Sequence, residues 1–134
     1  MGYYIEIIDS KVKIKKENFE EALLKLKHLF KPGTLHYDYV FIEGTKYPKY
    51  SFIATEKVIL SNSIDEALEE IRYKPKFDKI GNIVNLEFTG EKYGDEIILF
   101  STLAPFIEDG SFLKFRGEDG CIFRFDFLNG KVTY

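Results

Sequence analysis

The apolar positions of this chain change period several times, and each change marks an element. Residues 3–8 are apolar or aromatic apart from Glu6, which reads as a strand. Asp9 and Ser10 break it, and Val12 and Ile14 then alternate with Lys11, Lys13 and Lys15. That pattern predicts a short hairpin with one buried face. From Asn18 the period becomes helical: Phe19, Ala22, Leu23, Leu26, Leu29 and Phe30 form one stripe. Asn18 with Glu21 has the spacing of a capping box, and Lys31-Pro32-Gly33 stops the helix. Acids at its start and lysines at its end suit the helix dipole.

Residues 34–60 carry no clean period. Tyr37, Tyr39, Phe41, Tyr47, Tyr50 and Phe52 are scattered through them, and Gly44 and Pro48 interrupt. The expectation is two irregular strands, over 37–42 and 50–54. Ser63 then opens a second helix, with Glu66 three residues on and Ile64, Ala67, Leu68 and Ile71 as its stripe. Pro75 disfavours a helical residue before it. Residues 76–88 read as a hairpin turning at Gly81-Asn82. Asp95 is placed to cap a third helix, apolar over a wide arc and ended by Pro105. The C-terminus predicts a β-meander, with Phe123, Phe125 and Phe127 on one face and Asn129-Gly130 as the clearest hairpin turn. The whole reads as one α+β domain over residues 1–134. It is a mostly antiparallel β-sheet with three helices packed on one face.

Composition narrows this picture without changing it. The chain has 134 residues, enough to bury a core without disulfides or metal. Thirteen Phe and nine Tyr without any Trp suit half-buried strands. A net charge of -3 disfavours broad binding to nucleic acid, which needs a basic face. Cys121 is the single cysteine, so no internal disulfide forms, which fits a reducing compartment such as the cytoplasm. The first residues lack the basic-then-apolar form of a signal peptide. No apolar run approaches the ~18–20 residues of a membrane span, so no membrane partner is expected.

The residue types that carry chemistry are sparse. His28, His36 and Cys121 are the candidate metal ligands, and no pair has ligand spacing. No cofactor motif is present either. Cys121 opens an apolar strand and is expected to be buried as a small apolar side chain, apart from His36. Gly117-Glu118-Asp119-Gly120 places two acids where a phosphate cradle needs a positive field, so it reads as a turn. Glu108-Asp109 and Glu118-Asp119 flank one strand roughly 15–20 Å apart, too far for a glycosidase pair. With no catalytic set, the residues point to a non-catalytic module that binds a protein partner. Tyr37, Tyr39, Tyr47 and Tyr50 are the candidate contact residues, because tyrosine is enriched at interfaces. The alternative is a nucleic-acid or nucleotide-binding module. It would use Tyr3 and Tyr4 for stacking and Lys11, Lys13, Lys15 and Lys16 for phosphates.

Four stretches carry a family resemblance. They are Met1-Gly2-Tyr3-Tyr4-Ile5, Gly90-Glu91-Lys92-Tyr93-Gly94-Asp95-Glu96, residues 103–112 with Leu103-Ala104-Pro105-Phe106, and Gly117-Glu118-Asp119-Gly120. Together they resemble a scattered group of short bacterial and phage proteins with no established function. Members of that group often carry Trp around the positions of Phe123 and Phe125. The resemblance implies no activity and no catalytic residue. Occurrence in phages and mobile elements implies a role in bacterial conflict, as an immunity protein or an anti-defence inhibitor.

Overall fold

A computed structural model describes residues 2–134, so Met1 of the first resembling stretch lies outside the described residues. The fold is α+β with antiparallel sheets and four α-helices. The strands are β1 (Ile5–Lys11), β2 (Tyr39–Ile42), β3 (Thr45–Pro48), β4 (Tyr73–Phe77), β5 (Ile83–Phe88), β6 (Phe112–Gly117), β7 (Ile122–Leu128) and β8 (Lys131–Thr133). The helices are α1 (Phe19–Leu29), α2 (Thr55–Ile59), α3 (Ile64–Glu70) and α4 (Glu96–Leu103).

The main sheet has the order β1-β6-β7-β8. Its meander follows the predicted alternation. Phe125 and Phe127 are buried on the inner face, where the Phe100 ring of α4 meets them at 5.9 and 6.0 Å. Leu99, Phe100 and Leu103 are all fully buried, as the wide apolar arc of this helix requires.

The N-terminal hairpin does not form. Asp9 and Ser10 make no turn: they pair with Lys114 and Leu113, the ladder bulges at Ile8 between Ile7 and Asp9, and the strand runs on to Lys11 paired with β6. Val12 and Ile14 are buried, and Ile14 exchanges two backbone hydrogen bonds of 3.0 Å with Ile83. The β4–β5 hairpin is thereby fastened beside β1. A second fastening lies at the other end, where Ile5 N–H donates to the Glu91 carbonyl and Tyr93 N–H to the Tyr3 carbonyl.

The helix ends also differ from the pattern. Asn18 makes no side-chain cap bond, because a 3₁₀ turn over Lys16–Asn18 leads into α1. Ser63 does cap α3, accepting from Glu66 N–H at 3.3 Å. In residues 34–60 the first expected strand is shortened to β2, and the second, over 50–54, is absent. β3 lies earlier, and β2 and β3 turn on Glu43-Gly44, with φ 49° and 81°. That pair of positive φ values is the twist-matched geometry of a two-residue hairpin. A fourth helix, α2, occupies 55–59. The turn of the β2–β3 hairpin is exposed from Glu43 to Lys46, as is Phe41 on β2.

Candidate functional site

Asp95 and Glu96 stand side by side at the start of α4. Asp95 does not cap its own helix with its side chain. Its carboxylate reaches across to residues 36–51. Ser51 N–H donates to Oδ2 at 2.7 Å, and the Tyr37 hydroxyl donates at 2.8 and 3.0 Å. The Tyr37 hydroxyl has one proton, so the Ser51 hydroxyl at 2.8 Å must be the donor to Tyr37 oxygen. The two flanks of the β2–β3 hairpin, Tyr37 before it and Ser51 after it, are thus tied to one carboxylate.

His36 completes the cluster. Its ring lies 4.1 Å from both the Tyr37 and the Tyr50 ring centroids. Its Nε2 stands 3.9 Å from Asp95 Oδ2, with side chains only 5% and 9% exposed. That nitrogen is buried and has no hydrogen-bond partner. His36 backbone N–H donates to the Tyr39 hydroxyl at 3.1 Å. The acid beside His36 is Asp95, a residue that spacing along the chain could not have selected.

Glu96 faces the opposite way and is fully buried. Arg72 Nη2 donates to its Oε2 at 2.7 Å, the Tyr73 hydroxyl at 3.2 Å, and Gly94 N–H donates to Oε1 at 2.5 Å. Burial, with Glu96 alongside, pushes the Tyr73 hydroxyl well above its ordinary range, so it stays a donor. Arg72 Nη1 also donates to the Lys92 carbonyl at 2.6 Å. The guanidinium lies 5.2 Å from the Phe52 ring and 5.3 Å from that of Phe88. Both Arg72 and Phe52 have positive φ, 79° and 65°, a conformation that costs bulky residues energy and persists only where surroundings enforce it. Gly94 shows that enforcement: a Cβ there would lie 3.1 Å from Arg72 Nη2 and 3.3 Å from Phe52. The stretch 90–96 therefore closes around Arg72. A cavity of 260 Å³ beside it is lined by Phe52, Arg72, Gly90, Glu91 and Lys92.

The aromatic segment splits by depth. Tyr37 is 67% exposed, Phe41 70% and Phe52 52%, and Leu35 stands out at 92%. Tyr39 and Tyr47 are half-buried, with Lys46 Nζ 4.0 Å above the Tyr39 ring. Tyr50 is different. It is 1% exposed, packs on Phe30 at 4.7 Å, and donates to the Leu29 carbonyl at 3.1 Å. Burial first, then the charge of Asp95, pushes its hydroxyl up to about 12. Its ring is core, so it offers a partner no surface.

The N-terminal residues of the alternative reading are not assembled into one site. Tyr3 donates to the Asp119 carboxylate, and Tyr4 N–H donates to Glu118 at 2.9 Å. Gly117 permits this, because a Cβ there would overlap the Tyr3 ring. Lys11 ends β1, roughly 23 Å from Tyr4 along seven residues of strand, and Lys13, Lys15 and Lys16 follow it. Lys16 Nζ is engaged with the Ile80 carbonyl at 3.0 Å. Cys121 also departs from expectation: it is exposed. It sits just before β7 begins, on the outside of the turn, where hydrogen bonding to Asp119 pushes its thiol up and away from the thiolate. His28 is exposed on α1.

Among the described residues no three His, Cys, Asp or Glu side chains converge as a metal cluster, and no helix is long and apolar enough to cross a membrane. No family model matches the chain, and neither a curated protein nor a solved structure is detectably similar to it.

Proposed function

We propose that this chain is a non-catalytic binding module that engages a protein partner through residues 35–52. One observation carries the reading: Leu35, Tyr37, Phe41 and Phe52 are large apolar or aromatic residues exposed within a single segment, on and beside the β2–β3 hairpin. Scattered exposed apolar residues are ordinary, but a group this dense within one segment has the composition of a contact surface. Tyr37 and Ser51 are fixed to Asp95, so the surface is held in place before any partner arrives, which lowers the ordering cost of binding. Asp38, Glu43 and Lys46 are exposed charged residues of mixed sign in the same segment. The resemblance to short phage and bacterial proteins supports a setting in bacterial conflict, where the partner would be a toxin or a defence factor.

The test is affinity capture with crosslinking from the native host, comparing wild type with Phe41→Asp and Tyr37→Ala. Ile122→Asp, an exposed apolar position on β7, is the control. A partner retained by wild type and the control but lost with both segment variants is the expected result. Equal recovery with all four proteins would refute the assignment of this surface.

A further inference from the structure

Two strand edges in this fold face each other without pairing. β1 and β5 run antiparallel and are tied at one end by the Ile5–Glu91 and Tyr93–Tyr3 bonds, at the other by Ile14 with Ile83. Between the ties no backbone hydrogen bond joins them. The direction of the idle groups follows from the alternation along a strand. The Tyr4 carbonyl accepts from Glu118 N–H on the β6 side, whereas Ile5 N–H donates to Glu91 on the other, so Ile7 turns its N–H and C=O toward β5. Thr89 N–H donates to the Arg72 carbonyl on the β4 side, so Phe88 turns its N–H and C=O toward β1. Pro75, which has no N–H to give, stands opposite Leu86 in the same alternation. Among the described residues the backbone groups of Ile7 and Phe88 meet no partner. Each strand also bulges beside the gap, at Ile8 and at Val84, which disrupts a ladder locally.

The gap is open space. A cavity of 370 Å³ lies along Ile7, Asn85, Leu86 and Phe88, and it shares Ile5, Glu6 and Gly90 with a second cavity of 670 Å³. An amide already serves these edges at one point: Asn85 Nδ2 donates to the Ser10 carbonyl at 3.2 Å, and its Oδ1 accepts from Leu86 N–H at 2.9 Å. The lining carries four carboxylates, Glu6, Glu87, Glu91 and Glu118, against Lys76 and Arg116, and Arg116 is paired with Glu6. We infer that the slot between β1 and β5 takes a short extended peptide carrying Lys or Arg. Its amides take up the idle donors and acceptors of Ile7 and Phe88, as in strand addition, and its cations meet Glu87 and Glu91. Because both ends are tied, the stretch that enters is about three residues long. Its source rests on the proposed function: Gly90 and Glu91 also line the cavity beside Phe52, so a partner seated on residues 35–52 has a continuous path to the slot.

The experiment is an NMR titration of the full chain, followed amide by amide, with three probes. They are acetyl-Lys-Val-Lys-amide, the same peptide with methylated backbone nitrogens, and acetyl-Glu-Val-Glu-amide. The first should move the Ile7 and Phe88 signals with a Kd in the millimolar range and bind more weakly as salt rises. Methylation leaves the charge but removes the donors, and should weaken binding at least about fivefold. The acidic peptide should leave both signals in place. Glu87→Gln combined with Glu91→Gln should weaken the first peptide about two- to fivefold, the effect of exposed charge pairs. Unmoved Ile7 and Phe88 signals at about 10 mM of the first peptide would overturn the inference. So would equal binding of the methylated or the acidic peptide, or undiminished binding by the double variant. The probe is not the host partner, so failure here leaves the surface at residues 35–52 standing, and loss of partner capture leaves the slot standing.

Discussion

Asp95 and Glu96 are neighbours on the chain, yet their carboxylates meet opposite surroundings. Glu96 points into the body, where Arg72, Tyr73 and Gly94 occupy it. Its charge is matched by a guanidinium that never loses its proton. Asp95 points outward to the aromatic segment, where Tyr37, Ser51 and the His36 imidazole meet it. One residue of helix start thus separates a fastening of the core from a fastening of the surface segment. The lesson is that two acids of the same type, one residue apart, divide structural from functional work by the partner each one faces.

The sharpest way to break this contrast is Arg72→Met. It strands a buried carboxylate, so the whole domain should lose about 3–5 kcal/mol in a urea melt. Adding Glu96→Gln to that variant should recover a large part, because the unpaired charge is gone. A loss below about 1 kcal/mol for Arg72→Met alone would remove Glu96–Arg72 from the core's account.

Asp95→Asn should cost less, about 1–2 kcal/mol, because an amide oxygen still accepts from Ser51 N–H while the charge-assisted part is lost. Tyr37→Phe removes a single hydroxyl contact and should cost about 0.5–1.5 kcal/mol in the same melt. If Tyr37→Phe proved as damaging as Arg72→Met, the surface fastening would be no weaker than the buried one. The smallest expected effect lies away from both carboxylates. Asp119→Asn exchanges the charged acceptor that raises the Cys121 thiol for a neutral amide oxygen, so more thiolate forms at a given pH. Native-state alkylation at pH 8 should then run faster than in wild type. Unchanged kinetics would show that the turn, and not Asp119, governs that thiol.

Much of the fold was legible in the chain because its signals are local. The stripe from Phe19 to Phe30, Ser63 with Glu66, the alternating Phe123, Phe125 and Phe127, and the Asn129-Gly130 turn each act within a few residues. Asp9-Ser10 misled because residue types that favour a turn are held in the strand by pairing with Lys114 and Leu113 of distant β6. Residues 34–60 were opaque for a related reason. Their aromatic rings are placed by α1 and α4 and not by any period of their own: Tyr50 by Phe30 and Leu29, Tyr37 by Asp95. The candidate site was half legible. Tyr37, read as a partner contact, lies at the surface, whereas Tyr50 is core and the roles of His36, Asp95 and Arg72 went unseen. Asp95 carried a faint signal, since an acid at a helix start followed at once by a second acid offers one more carboxylate than capping needs.

The most direct test of the contrast is amide exchange at neutral pH, comparing Asp95→Asn with Glu96→Gln. The account predicts that Asp95→Asn speeds exchange at Ser51 and across residues 39–48 while leaving residues 112–128 as in wild type. It predicts that Glu96→Gln speeds exchange throughout, including α4 and the meander. If the two variants gave the same pattern, local or global, the division of labour between these adjacent carboxylates would be contradicted.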